Sequence, residues 1–370
     1  MKLSTRSCVR LAACVLALSC ATVQTAWSAT LGQTTLPPRG EDGPVTVYYP
    51  SDAPEQAVRR GRMTLQLAVD AAPQRGNGRL VVISHGSGGS PWVHADLARA
   101  LIDAGYVVAM PEHHADNSRD DSTPGPESWA LRPAEVSRAI DAIGHDARFA
   151  PLLQLDKVGV YGMSAGGHTA LTLAGGRWSP ARFASHCTAH IAEDFPSCVG
   201  LATHLTGGAF DELKKWVAVR VIRHRFDDDR DHEFQDARIA AIVAAVPAAA
   251  DFDLSSLAVP RVPLGLVLAE KDRWLAPRFH GGAVRDACQR CEVIADMPDA
   301  GHGSMLSPLP PGIRGLEGDL LNDPPGFDRS RMPEVDRRIA AFFVRHVPAA
   351  GAPAPELAAR TGFWPDAQVA

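Results

Sequence analysis

The stretch KVGVYGMSAGGHTALTLA, residues 157–174, carries the clearest structural signal in this chain. Its first five residues are mostly apolar and predict a buried strand, while residues 167–174 have the composition of a helix. Between them, Gly162-Met-Ser164-Ala-Gly166 matches G-x-S-x-G, a pattern that places a serine on a sharp turn from strand to helix. Glycines at the flanking positions permit close backbone approach. Ser164 is therefore the candidate nucleophile.

Strands and helices alternate on both sides of this stretch. Buried strands are predicted at residues 79–84, 107–110, 239–245, 264–268 and 291–297, helices at 93–104, 133–145 and 333–346, and two opening strands at 44–49 and 63–69. Parallel strands need crossover connections, so this alternation predicts a mostly parallel central sheet flanked by helices. Residues 175–238 break the rhythm, and an amphipathic segment near 210–223 predicts a helical cap insertion after the nucleophile helix.

A serine nucleophile needs a histidine base and an acid that orients it. In enzymes with this turn, the acid and then the histidine follow the serine along the chain. His302 follows the last predicted strand and is the best candidate base, whereas His280 is expected at the surface and His168 in a packing or capping role. Asp272 follows the strand at 264–268 and is the preferred acid. Asp251, one strand earlier, is the alternative acid, with Glu270 a more distant one.

Backbone N–H groups must stabilise the oxyanion that forms during acyl transfer. The residue after the nucleophile and the loop after an earlier strand supply them in this arrangement, which indicates Ala165 and Ser87. Ser87 lies in His85-Gly-Ser-Gly-Gly89. A phosphate-binding loop is a rival interpretation of these glycines, but the Lys-Ser/Thr ending of that motif is missing.

Two groups of residues raise the question of a metal site. His113, His114 and Asp116 lie at the end of a predicted strand, but adjacent histidines point in different directions, and a pocket wall or loop is the favoured interpretation. Cys288 and Cys291 have zinc-ligand spacing but lack a second such pair. We expect neither a metal nor a cofactor.

The first residues are typical of a secretory signal peptide. Lys2, Arg6 and Arg10 precede the apolar residues 11–23, and small residues offer a cleavage site near Thr30. The apolar run is too short for a membrane span, and lipid anchoring at Cys20 is a less favoured alternative. The sequence thus divides into a signal peptide (1–29), a catalytic domain (30–348, with the cap at about 175–238) and an Ala/Pro-rich tail (349–370).

Export has consequences for charge and for cysteine chemistry. Removing residues 1–29 takes away three basic residues and no acidic ones, which lowers the net charge from −5 to −8 and disfavours a nucleic-acid partner. The four remaining cysteines would lie in an oxidising compartment. Sequence proximity favours Cys187 with Cys198 and Cys288 with Cys291 among the three possible pairings.

The chain resembles the bacterial predicted dienelactone hydrolases, which are related to the secreted platelet-activating factor acetylhydrolases of the α/β-hydrolase fold. The resemblance rests on residues 83–89, Arg132-Pro-Ala-Glu-Val-Ser-Arg138, Gly162 to Gly167, Ala300-Gly-His302 and the closing helix. It implies a carboxylic-ester hydrolase without a cofactor. The secreted acetylhydrolases carry their acid after the earlier strand, which keeps Asp251 as an alternative.

We therefore expect an exported serine esterase that acts on small-molecule esters with short or medium acyl groups through Ser164, His302 and Asp272. An amidase or peptidase with the same residues is the nearest alternative, because esters and amides are cleaved through similar tetrahedral intermediates. A non-catalytic binding protein on the same fold is a further alternative. The oligomeric state is left open by the sequence.

Overall fold

The computed structural model describes residues 29–352. Residues 1–28, which include Cys20 and all but the last residue of the predicted signal peptide, and most of the predicted tail lie outside the described residues. No helix within residues 29–352 is both long and apolar enough to cross a membrane.

The strands of the described chain form one large sheet and one short pair. They are β1 (Thr30–Leu36), β2 (Val45–Ser51), β3 (Gln56–Arg60), β4 (Met63–Val69), β5 (Leu80–Ser84), β6 (Val107–Pro111), β7 (Val158–Met163), β8 (Arg177–Trp178), β9 (Ile239–Ala245), β10 (Phe252–Asp253), β11 (Leu264–Ala269) and β12 (Glu292–Met297). The large sheet has the order β12-β11-β9-β7-β5-β6-β2-β1-β4-β3. Its strands from β12 to β6 are parallel, whereas β2 runs antiparallel to both of its neighbours.

Helices cover both faces of this sheet. They are α1 (Ala95–Asp103), α2 (Pro126–His145), α3 (Ala165–Leu173), α4 (Pro180–His190), α5 (Phe195–Val199), α6 (Asp211–Arg225), α7 (Gly281–Ala287), α8 (Gly315–Leu321) and α9 (Met332–His346). Residues of α1 and α9 join one hydrophobic cluster with alternate strand residues, and residues of α2, α3 and α7 join the other. Every residue of β5 and β7 is buried, because both faces of these central strands are covered. The expected mostly parallel sheet flanked by helices is confirmed.

One helix begins earlier than the sequence suggested. We expected it at Pro133, because proline is common in the first helical turn. The structure starts α2 at Pro126, directly after Gly125, and Pro133 lies inside the helix. Two turns of helix were therefore missed, and they contain the buried Trp129 and Arg132.

Residues 175–238 contain α4, α5 and α6 between α3 and β9. A disulfide between Cys187 and Cys198 joins α4 to α5, and a second one joins Cys288 to Cys291. Both expected pairings are confirmed. The loops that follow β5, β7, β11 and β12 leave the sheet at one edge, where parallel strands have their carboxyl ends, and this edge holds the candidate site.

Candidate active site

Ser164 occupies the single residue between the end of β7 and the start of α3. Its backbone has φ 59° and ψ −118°, a conformation that L-residues seldom adopt and that costs on the order of 1–3 kcal/mol. The flanking glycines are required by space, since a Cβ on Gly162 would lie 1.9 Å from the Gly166 carbonyl oxygen, and one on Gly166 would lie 1.9 Å from that of Ser84. Hydrogen bonds to Ala245 and from Ala248 hold the turn.

The structure brings Ser164, His302 and Asp272 together in one hydrogen-bonded chain. His302 Nε2 lies 2.9 Å from Ser164 Oγ, and the opposite ring nitrogen, Nδ1, lies 2.7 Å from Asp272 Oδ2. The Asp272 carboxylate accepts a hydrogen bond from Nδ1–H, which leaves the ring nitrogen Nε2 free to accept the proton of the serine hydroxyl. The other Asp272 oxygen accepts the backbone N–H groups of Trp274 and Leu275, at 2.8 and 2.9 Å. This fixes the carboxylate before it meets the ring.

The alternative acids lie apart from His302. Asp251 is buried and pairs with a different ring, since its Oδ2 lies 3.0 Å from His168 Nε2. His168 is itself fully buried and stacks on Trp129, in agreement with the packing role expected for it. Glu270 lies near Arg285 instead. Among the three carboxylates considered from the sequence, Asp272 is the one that reaches His302.

The loop 85–89 lies against the nucleophile. A Cβ on Gly86 would lie 3.4 Å from the Ser164 Cβ, so the backbone of this loop borders the serine side chain. Ala165 is the first residue of α3, where backbone N–H groups have no acceptor within the helix. Within residues 29–352, neither the Ala165 N–H nor the Ser87 N–H has a hydrogen-bond acceptor. Two unoccupied donors therefore lie on segments adjacent to Ser164.

This geometry agrees with comparisons to known proteins. Residues 80–311 match the model of the alpha/beta hydrolase family. The chain belongs to that family. No curated protein sequence matches it. Among solved structures, a ferulic acid esterase from Streptomyces cinnamoneus is similar, with a TM-score of 0.54 and 17% sequence identity over 90% of this chain and 93% of that chain. At this identity the likeness concerns the fold, and the narrower resemblance to dienelactone hydrolases stays a prediction.

A buried ion pair supports loop 85–89 of this alpha/beta hydrolase. Asp116 Oδ1 accepts from Ser87 Oγ at 2.5 Å and from the Gly88 N–H at 3.0 Å, while Oδ2 lies 2.7 Å from Arg132 Nη2. Arg132 also donates to the His85 carbonyl oxygen at 2.6 Å. Although burial acts to raise the pKa of Asp116, the Arg132 charge and these hydrogen bonds hold it below its ordinary value. We call Asp116 and Arg132 the loop clamp.

The three residues His113, His114 and Asp116 do not converge on a common point. His113 is fully buried and connects Ser84 Oγ, at 2.7 Å, to the Glu135 carboxylate, at 2.5 Å. Burial, together with the nearby Arg132 charge, lowers the pKa of His113 well below its ordinary value. His114 is bonded to a surface carbonyl, and Asp116 belongs to the loop clamp. Sequence reasoning missed Glu135, although its spacing of three residues from Arg132 places both on one side of α2.

A different cluster, within the part of the chain described, has the residue types of a metal site: His186, Asp194 and His280. Asp194 Oδ2 lies 2.8 Å from His186 Nε2 and 2.9 Å from His280 Nε2. His280 Nδ1 accepts the Ala249 N–H, so Nε2 carries the proton and is not free to ligate a metal. His280 is buried, which corrects the surface position expected for it. The cluster joins α4 and the start of α5 to α7.

Proposed function

We propose that this alpha/beta hydrolase is a serine esterase that cleaves small carboxylic esters through an acyl-enzyme. The observation that carries the proposal is the hydrogen-bonded chain from Asp272 through His302 to Ser164 at the carboxyl edge of the sheet. The family is one of hydrolases, and the structural neighbour is named as an esterase. The family supports a hydrolytic reaction, and the name of the structural neighbour supports an ester as the substrate class.

In the proposed first step, Ser164 Oγ attacks the ester carbonyl carbon while His302 Nε2 takes the hydroxyl proton. Asp272 stabilises the imidazolium at Nδ1. The carbonyl oxygen becomes negatively charged and accepts hydrogen bonds from the backbone N–H groups of Ala165 and Ser87. When the tetrahedral intermediate collapses, the bond to the alkoxy group breaks and His302 returns the proton to the departing alcohol.

The second step releases the acid. Water replaces the alcohol, and His302 takes one of its protons while the water oxygen attacks the acyl carbon. The new intermediate collapses, the bond between the acyl carbon and Ser164 Oγ breaks, and His302 returns the proton to the serine. These steps consume one ester and one water and produce one acid and one alcohol, with the enzyme unchanged.

Export and acyl length are finer parts of this proposal. Two disulfides, Cys187–Cys198 and Cys288–Cys291, support an oxidising compartment. β1 begins at Thr30, directly after the proposed signal peptide, so cleavage there would keep the first strand of the sheet intact. We propose short or medium acyl groups as the preferred substrates.

The test is hydrolysis of p-nitrophenyl esters of increasing acyl length. Ser164→Ala should abolish turnover. Asp272→Asn should lower kcat by about 10³–10⁴, because the amide no longer stabilises the imidazolium. Asp251→Asn is the matched control, since it alters another buried carboxylate bonded to a histidine, and its kcat should stay within about threefold of wild type. Ester turnover that survives Ser164→Ala would overturn the mechanism. Faster cleavage of anilides than of esters would favour an amidase.

A further inference from the structure

Helix α6 exposes an apolar face that no other described part of the chain covers. Among the large hydrophobic side chains described, Phe210 and Trp216 are the most exposed, at 73% and 65%. Leu213, Val217 and Val221 are also exposed. We call these five side chains the α6 surface. Exposed apolar residues scattered singly are ordinary, but a cluster within twelve residues indicates a binding surface.

The exposed large apolar side chains of α6 lie on one side of the helix. At about 100° per residue, Leu213, Trp216, Val217 and Val221 occupy an arc of roughly 140°. Ile222, which is buried, faces the opposite side. α6 packs against α4 and α5 through that side and is tied to the start of α2 by the ion pair of Arg225 with Glu127. The α6 surface is therefore turned away from the protein.

Positive charge accompanies the α6 surface. The helix carries five Lys or Arg residues and two acidic ones, in a chain whose net charge is −5. Asp211 and Glu212 are paired with Lys214 and Lys215. Arg220, inside the apolar arc, and Arg223, at its edge, have no acidic partner among residues 29–352 and are both exposed. The surface thus combines apolar side chains with uncompensated cations.

We propose that the α6 surface binds an anionic phospholipid membrane. Helices that lie in a membrane interface combine Trp, Phe and Leu side chains with basic residues, which contact the acyl region and the headgroup phosphates respectively. Each basic residue near an anionic surface adds about 1 kcal/mol of attraction. A second copy of the chain fits less well, because a symmetric contact would bring Arg220 and Arg223 of both copies into one interface. This binding is independent of the proposed ester hydrolysis.

The experiment measures co-sedimentation with vesicles of phosphatidylglycerol and phosphatidylcholine at low salt. Wild type and all variants are expressed from the full-length gene and purified in the same way, so that residues outside 29–352 affect vesicle binding equally in every sample. Phe210→Ser combined with Trp216→Ser should weaken binding at least tenfold, and Arg220→Gln with Arg223→Gln should weaken it for anionic vesicles only. The matched control is Val259→Ser, which removes an exposed valine elsewhere and should leave binding unchanged.

Two further readouts make the result decisive. Brominated phospholipids should quench the tryptophan emission of wild type more than that of Trp216→Phe. This difference reports contact of α6 with the lipid, even if other segments of the chain also bind the vesicles. Circular dichroism and thermal unfolding confirm that each variant is folded, without reference to activity. The proposal is overturned if wild type does not bind, or if the α6 variants bind as tightly as wild type. It is also overturned if size-exclusion chromatography shows a dimer that Phe210→Ser with Trp216→Ser dissociates, since the occupant is then a second copy.

Discussion

The loop clamp offers the sharpest test of how the fold prepares the site. In Asp116→Asn, the side chain keeps its shape but loses one of its two acceptor oxygens. One Asp116 oxygen serves Ser87 and Gly88, and the other serves Arg132. In either orientation, the new NH₂ group meets a donor on one side. The substitution therefore breaks either the support of the loop or the ion pair.

The expected magnitude follows from burial. Both side chains of the clamp are 0% exposed, so Asp116→Asn leaves the Arg132 charge buried without a counter-charge. Breaking such a pair costs about 3–5 kcal/mol of stability. Loss of one oxyanion donor lowers kcat by about 10²–10³, so a displaced Ser87 N–H should lower kcat by at least tenfold and change KM little.

Urea unfolding and ester hydrolysis together measure these effects. Glu112→Gln is the matched control, because its partner Arg119 is exposed, and it should cost less than about 1 kcal/mol. Asp116→Asn combined with Arg132→Gln removes both charges and should destabilise the protein by less than the sum of the single substitutions. Additive costs, or an Asp116→Asn enzyme with wild-type stability and kcat, would refute the clamp. Ser87→Ala, which removes one bond and keeps the backbone N–H, supplies kinetics if Asp116→Asn does not fold.

Three more predictions address other parts of the fold. Burial and the Asp96 charge raise the pKa of Asp336 from 3.8 to about 7. The contribution of this carboxyl group to stability is therefore fully present below pH 4 and is lost as pH rises through 7. In urea unfolding, Asp336→Asn should stabilise the protein by up to about 4 kcal/mol at pH 8 and little at pH 4. Replacing Cys187 and Cys198 by serine should cost about 3 kcal/mol in thermal or urea unfolding, as expected for a ring of this size. Gly166→Ala should yield no folded protein on circular dichroism, because its Cβ would overlap the Ser84 carbonyl.

The central sheet could be predicted because the sequences of its strands are themselves recognisable as buried strands. β7, β9 and β11 are continuous apolar runs, and they lie within one or two residues of the expected positions. β1 and β3 were missed for a physical reason. β1, with the sequence TLGQTTL, is buried only through its neighbours β2 and β4, and β3 is an exposed edge strand without apolar alternation.

The catalytic candidates were accessible from the sequence because chain order and strand ends determine their place. The loop clamp was not. Asp116 lies three residues after His113, and Ala115 between them has φ 52°, in the left-handed region. No pattern in the sequence of these residues predicts that backbone conformation. That conformation directs Asp116 toward Arg132, whereas His113 faces Glu135. Which neighbours a polar cluster meets therefore depends on one backbone angle.

The choice between Asp272 and Asp251 rests on which histidine each carboxylate satisfies. His168 is buried against Trp129, and its Nε2 depends on Asp251, because its Nδ1 has no partner among the described residues. Withdrawing Asp251 to serve His302 would leave a buried imidazole without any hydrogen bond, at a cost of about 1–3 kcal/mol. Asp272 meets no such conflict, since its second oxygen is held by two backbone N–H groups. The packing of His168 thus favours Asp272 as the acid of the proposed mechanism.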